Sequence, residues 1–311
     1  MDAKMIFMGG KFIPAEQGLI SVRTHAFAYG TGCFEGIRGY WNEETRQVYL
    51  FRVREHYERL LRSSKILRIE LPFTVEQLIE QSVELVRLND QKQDVYLRPV
   101  AYKNAQIIGV RLQNVEDAYL LTSEPMGNYV DIGGMKCGVS SWRRIDDNAL
   151  PARAKICGSY VNAAFAKTEA MQNGFDEAIM LTHDGHVSEG SAENIFLYIN
   201  GELVTPAPTE NILLGITRDT VIQLAQKELG LKIQERQVDR TELYIADEIF
   251  MCGTGAQIAP VVEVDHSPVG TGKIGPIGQK LQDLYFDIVR GRKLEYLDWC
   301  TPVYAGVTTQ R

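Results

Sequence analysis

The chain has 311 residues, 45% of them hydrophobic, and sets 33 basic against 40 acidic side chains for a formal charge of -7. That length and apolar fraction allow one large domain or two modest ones with a sizeable core. The acidic balance argues against a nucleic-acid surface, and no run is long and apolar enough to span a membrane.

MIFMGGKFIPA predicts a hairpin turning at Gly9-Gly10, and IRGYWNEETRQVYLF a second pair of strands around Asn42 to Thr45. Between Arg52 and Arg87 the apolar spacing becomes helical. Leu60, Leu61, Ile66 and Leu67 fall in one helix, Leu78, Ile79, Val83 and Val86 in the next, and Pro72 separates them. VYLRPVAY and AYLLTSE read as strands, and the glycine-rich passage from Gly127 to Gly138 as an interdomain connection. Beyond it, KCGVSSW predicts a strand, SYVNAAFAKTEAMQNG a helix stopped at Gly174, and EAIMLT with IFLYI two strands around a turn. TRDTVIQLAQKELG predicts an amphipathic helix with Val221, Leu224, Ala225 and Leu229 on its apolar side, ended by Gly230. The tail from Arg290 to Arg311 carries no readable pattern. The expected class is α+β, with a smaller N-terminal domain at 1–126, a connection at 127–138 and a larger mixed α/β domain at 139–311.

Chemistry concentrates in a few short stretches. PARAKICGSY sets Lys155 among small and apolar neighbours with no acid beside it, and desolvation of that kind lowers an ammonium pKa and frees the amine for nucleophilic or Schiff-base chemistry. A lysine so placed can also lay its stem on the core and keep its head in water. VSEGSAEN then offers Glu189 and Glu193 between small residues. At Gly215-Ile216-Thr217 a glycine turn opens a helix, so backbone N–H groups and the helix dipole converge on an anion, although Thr217 serves equally well as a plain N-cap. In GTGAQ, Gly255 and Ala256 leave N–H groups accessible to a carboxylate or simply make a tight turn.

Two tempting patterns read as structural. His183 and His186 have a metal-like spacing, but Asp184-Gly185 between them signals a hairpin turn, so no metal site is expected. The five cysteines, Cys33, Cys137, Cys157, Cys252 and Cys300, are scattered without a CxxC pair and fit reduced thiols, with Cys157 as packing. The opening MDAKMIFMGGKF lacks the apolar core of a signal peptide, so a cytoplasmic protein is expected.

The ordered set PARAKICGSY, SEGSAEN and GITR resembles the fold-type IV pyridoxal-phosphate enzymes. YGTGCFEGIR, FRVREHYERL, VYLRP and MCGTGAQI are similar to segments of the branched-chain amino acid aminotransferases in particular. The likeness covers nearly the whole chain. It implies a two-domain fold like that of D-amino acid aminotransferase, with pyridoxal 5'-phosphate between the domains and Lys155 as the residue that carries it and shuttles the proton. By the same resemblance Glu189 pairs with the pyridine nitrogen and Tyr160 with the phenolic oxygen. Glu193 and Asn194 orient these groups, and Arg59, Leu213, Gly215, Ile216, Thr217 and Thr254 match cofactor-binding positions. Tyr29, Phe34, Tyr96 and Tyr129 match the substrate pocket, Arg98 the arginine for the 2-oxoglutarate distal carboxylate, and Thr254, Gly255 and Ala256 the remaining substrate contacts. The implied reaction passes the amino group of leucine, isoleucine or valine to 2-oxoglutarate in a homo-oligomer, a dimer or a hexamer. The rivals on this scaffold are a D-amino acid or (R)-amine transaminase and a lyase of the aminodeoxychorismate type.

Overall fold

The computed structural model describes residues 4–127 and 132–304. Contacts gather them into two units of nearly equal length: Met1–Gly127 with Ala154–Gly158 and Phe286–Arg311, and Asn128–Arg153 with Ser159–Tyr285. The expected division, with everything after 138 in a larger second domain, differs in three places. Strand Met135–Arg143 begins inside the expected connection and belongs to the second unit's sheet. The pentapeptide around Lys155 returns to the first unit because Cys33 bridges Ile156 and the Phe34 N–H donates to the Lys155 carbonyl. The tail returns because Cys300–Pro302 pairs antiparallel with Gln47–Phe51.

The first unit is a sheet in the order Cys300–Pro302, Gln47–Phe51, Ile37–Asn42, Val95–Lys103, Asp117–Pro125, Met5–Met8 and Lys11–Pro14, with Gly32–Phe34 also paired to Val95–Lys103. The expected hairpin turns at Gly9 and Gly10, both with positive φ (60° and 80°), where glycine relieves the strain a side chain would bring. Helices Val53–Ile66 and Val75–Leu88 pack together and against this sheet. The second helix starts on a capping box in which the Thr74 hydroxyl accepts from the Gln77 N–H and the Gln77 side chain accepts from the Thr74 N–H. Tyr57, fully buried between the helices, reaches the hydroxyls of Ser82 and Tyr119.

The second unit is a mixed sheet in the order Val187–Gly190, Glu177–Leu181, Met135–Arg143, Gln257–Val264, Glu248–Gly253, Asn194–Ile199, Glu202–Pro206 and Ile233–Arg236, with Ser267–Pro268 paired to Gln257–Val264. Its core is aliphatic, with Ile179, Val187, Ile195, Leu197 and Ile249 among the buried members. Helix Tyr160–Gln172 lays Ala163, Ala166 and Ala170 on the sheet, and Gly174 follows with φ 82°. Helix Ile216–Lys227 buries Val221, Leu224 and Ala225 as expected. The turn at Asp184-Gly185 joins Glu177–Leu181 to Val187–Gly190, so the strand after the turn is the one bearing Glu189, and IFLYI is the strand after that. Among the described residues no helix is long and apolar enough to cross a membrane.

Candidate active site

In the first unit the site grows from residues 33 to 36. Phe34 N–H donates to the Lys155 carbonyl at 3.0 Å, and the Lys155 N–H donates to Ser63 Oγ at 3.3 Å, so the lysine backbone is fixed from two sides. The Lys155 amine lies 5.0 Å from the centroid of the Phe34 ring, and the Arg98 guanidinium 4.4 Å from the same centroid. Arg98 also donates to the Tyr96 hydroxyl at 2.8 Å. Tyr96 and Arg98 share one face of strand Val95–Lys103, because residues two apart on a strand point the same way. Lys155, Phe34, Tyr96 and Arg98 are thus brought together. Cys157 is half-buried beside them, and burial raises its thiol pKa although Arg98 and Lys155 pull it down; it is not poised as a thiolate.

Arg59 lies on the buried face of its helix with Arg52, His56 and Ser63. Its Nε and Nη2 donate to the two oxygens of Glu35 at 2.6 and 2.8 Å, and His56 Nδ1 sits 2.7 Å from the same carboxyl. Burial alone would raise the pKa of Glu35, which is completely enclosed, but the Arg59 charge and the hydrogen bonds from Arg59 and His56 hold it down at about 2. His56 is itself lowered, chiefly by burial and also by the nearby Arg59 and Lys155, against the pull of Glu35. Glu35 and His56 are not among the expected site residues. The signal that could have found them is a Glu next to Phe34 and a His three residues before Arg59 on one helical face. Tyr29, exposed, sets its ring at a tilt to that of His25, with centroids 4.8 Å apart, and accepts from the Gly109 N–H at 3.1 Å. Tyr129 lies outside the described residues.

In the second unit Glu189 is buried on strand Val187–Gly190. Arg144 donates to its Oε1 at 2.7 Å, while Oε2 accepts from Asn194 Nδ2 at 2.9 Å and from the Leu213 N–H at 3.1 Å. Asn194 also donates to the Leu213 carbonyl, and a Cβ on Gly215 would fall 2.1 Å from Asn194 Oδ1, so glycine is required for close approach here. Helix Ile216–Lys227 starts at Gly215 with no side chain capping it, and Thr217 is buried in its first turn. Asn194 pairs with Cys252, which sets the Thr254-Gly255-Ala256 turn beside the Glu189 strand's end, where a Cβ on Gly253 would lie 3.5 Å from the Ala192 carbonyl oxygen and 3.8 Å from Glu193 Cα. Glu189, Asn194, Leu213, Gly215 and this turn are neighbours in one unit. Tyr160, half-buried, opens helix Tyr160–Gln172. Arg144 escapes a reading of the sequence because Arg143-Arg144 looks like a surface pair; only Arg144 turns inward.

Behind this group Glu193 is buried with Glu177, whose carboxylate takes Lys167 Nζ at 2.6 Å. Burial, then repulsion from Glu177, raises the Glu193 pKa to about 8, while the Ala192 N–H bond at 3.0 Å pulls the other way. At the hairpin, the Gly185 N–H donates to the Thr182 carbonyl at 3.1 Å and His183 is exposed beside Asp146, as turn histidines are.

The amino-transferase class IV family model matches residues 32–264, and the chain belongs to that family. It is 48% identical over 299 residues to a probable branched-chain-amino-acid aminotransferase of Aquifex aeolicus, covering 96% of each chain. Among solved structures it resembles the branched-chain aminotransferase of Thermoproteus uzoniensis with norvaline, at a TM-score of 0.93 and 42% identity, covering 98% of this chain and 100% of that one. It also resembles a T.th. branched-chain amino acid aminotransferase complexed with N-(5'-phosphopyridoxyl)-L-glutamate, at a TM-score of 0.92 and 41% identity over 97% and 99% of the two chains.

Two stability measurements test these clusters. Glu35→Ala leaves Arg59 buried without its counter-charge and should cost about 3–5 kcal/mol in urea unfolding. Because the folded pKa of Glu35 lies below its ordinary value, this contribution is present above the usual carboxylate range and disappears as pH falls toward 2. A loss under about 1 kcal/mol would show that the pair contributes little. For Glu193 the sign is opposite: the folded state keeps a proton that the unfolded chain has released, so stability falls as pH rises from the carboxylate range to about 8. Glu193→Gln, which mimics the protonated acid, should flatten that slope in unfolding midpoints measured from about pH 5 to 9; an unchanged slope would place the titration elsewhere.

Proposed function

We propose that the chain is a branched-chain amino acid aminotransferase, moving the amino group of leucine, isoleucine or valine by way of pyridoxal 5'-phosphate to 2-oxoglutarate, with a branched-chain 2-oxo acid and L-glutamate as products. The observation that carries this reading is the Phe34 ring with the Lys155 amine and the Arg98 guanidinium both within 5.0 Å of its centroid. An apolar ring beside a cation accepts a branched aliphatic side chain and, in the return half-reaction, a distal carboxylate. The complexes of the solved relatives with norvaline and with a phosphopyridoxyl glutamate support an aliphatic and a dicarboxylic substrate.

The residues fit the cofactor. An uncapped helix start at Gly215 and a buried arginine, Arg59, suit a phosphate dianion, and three donors fix the Glu189 carboxyl for a pyridinium. When bound, pyridoxal phosphate supplies the electron sink for the carbanion at the substrate α-carbon. Lys155 Nζ carries the cofactor at rest, then takes the α-proton and redelivers it. Glu189 keeps the ring nitrogen protonated, with Asn194 and Arg144 orienting it, and Tyr160 donates to the phenolic oxygen. Arg59, Leu213, Gly215, Ile216, Thr217 and Thr254 hold the remainder of the cofactor. Gly255 and Ala256 offer N–H groups to the α-carboxylate, and Phe34, Tyr96 and Tyr129 wall the side-chain pocket. Tyr29 serves that pocket from a neighbouring copy. In support of a homo-oligomer, the first unit exposes Val22, Phe27, Ile108 and Val110 around the point where Tyr29 meets Gly109. The cytoplasm, where these soluble substrates occur, is the proposed location.

Borohydride reduction of the holoenzyme followed by peptide mapping should find the pyridoxyl group on Lys155; its recovery on another lysine overturns the assignment. Arg98→Ala should weaken the half-reaction with glutamate or 2-oxoglutarate by about 2–3 kcal/mol and that with leucine much less, since only the five-carbon acids bring a second carboxylate. Equal losses in single-turnover kinetics would return Arg98 to a structural role.

A further inference from the structure

We propose that Gly36 is a specificity-determining position: by lacking a Cβ it seats Tyr96, and through Tyr96 it holds Arg98 where a substrate's second carboxylate is received. The inference rests on the role given above to Arg98.

Gly36 lies between strands Gly32–Phe34 and Ile37–Asn42, in register with the Tyr96 strand, where Arg38 faces Tyr96 and Ile37 faces Leu97. A Cβ built on Gly36 would fall 2.1 Å from the Tyr96 hydroxyl oxygen, 2.7 Å from Cζ and 2.9 Å from Cε2. All three contacts belong to one ring, so a side chain at 36 must push that ring away. The backbone does not explain the glycine, because Gly36 is not among the glycines with positive φ. Space for the phenol does.

The displaced group is the one Arg98 depends on. Arg98 is exposed, and among the described residues the hydrogen-bond partner of its guanidinium is the Tyr96 hydroxyl at 2.8 Å, with the guanidinium 5.0 Å from the Tyr96 ring and 4.4 Å from that of Phe34. A long, exposed arginine loses this anchor when Tyr96 moves, and must then be ordered anew by each acidic substrate. A branched aliphatic substrate has no such group to pair, so the cost falls on the dicarboxylic partner.

The test follows the cofactor absorbance of the holoenzyme in single-turnover half-reactions with leucine and with glutamate. Gly36→Ala should raise half-saturation by glutamate about tenfold more than that by leucine, the scale expected for immobilising one side chain and losing one hydrogen bond. In a Tyr96→Phe background the same substitution should add little further discrimination, because the hydroxyl that anchors Arg98 is already gone. Discrimination by Arg98→Ala but equal effects of Gly36→Ala on both substrates overturns the proposal while leaving the Arg98 reading intact. Failure of Arg98→Ala to discriminate overturns that reading and this one with it. If Gly36→Ala does not accumulate as folded protein, Tyr96→Phe alone decides: a selective loss with glutamate supports the chain of contacts from Gly36 through Tyr96 to Arg98, and an equal loss overturns it.

Discussion

The hydrogen bond from the Phe34 N–H to the Lys155 carbonyl ties Lys155, the lysine proposed to carry the cofactor, to four consecutive residues that organise much of the first unit. Cys33 forms the neighbouring bridge to Ile156, Glu35 holds Arg59 and His56, and Gly36 makes room for Tyr96. A lysine in a loop would lose much of its advantage to backbone motion, since a nucleophile misplaced by an ångström costs heavily in rate. Here the loop is short and pinned. Gly158 donates to the Gly30 carbonyl, and a Cβ on Gly30 would meet the Gly158 Cα at 2.9 Å, so the two glycines close the other end of the pentapeptide. Positioning of Lys155 is therefore a property of the backbone, whereas its chemistry belongs to the side chain.

Much of this is legible in the sequence, and the failures have identifiable causes. The elements with a clean period are the ones it announces: both N-terminal hairpins, the two helices around Pro72, and the helix closing on Gly174. Val187–Gly190 does not stand out as a strand of its own because all four residues are buried, so no alternation marks it. Helix Val53–Ile66 shows the complementary difficulty. Its apolar face, Val53, Tyr57 and Leu60, is visible, but a second buried face of Arg52, His56, Arg59 and Ser63 is wholly polar, and a search for apolar spacing passes over it. Arg59 can be named only from its motif; its burial against Glu35 cannot. The domain limits fail for a different reason, since a three-residue strand at 300–302 and a five-residue return at 154–158 carry too little pattern to announce long-range pairing.

Both units solve the same electrostatic problem in different ways. In the first, a fully buried carboxylate is kept ionised at Glu35 by a bidentate arginine. In the second, the comparably buried Glu193 has Glu177 rather than a cation as its strongest charged neighbour, and it keeps its proton instead. The cation that could have served it, Lys167, is bound to Glu177. Glu189 has a third set of partners, one arginine and two neutral donors. Glu35 and Glu193 thus differ in character through their partners, not their depth.

The Glu35 pair also constrains what Arg59 can do. A guanidinium has its donors in a fixed fork, and Glu35 occupies the Nε and Nη2 edge. An anion met by Arg59 is met with the plane of the fork already set. The buried carboxylate partly neutralises the arginine, which weakens long-range attraction for a phosphate, yet it removes the rotamer freedom that a lone arginine would lose on binding. His56 remains on the same carboxyl with its own pKa lowered, so it adds a hydrogen bond without a second full charge. On the proposed reading, orientation is favoured over raw attraction at Arg59, while the helix start at Gly215, with Asp219 in its first turn, contributes N–H groups and dipole. On that reading the arginine supplies a direction fixed before the anion arrives.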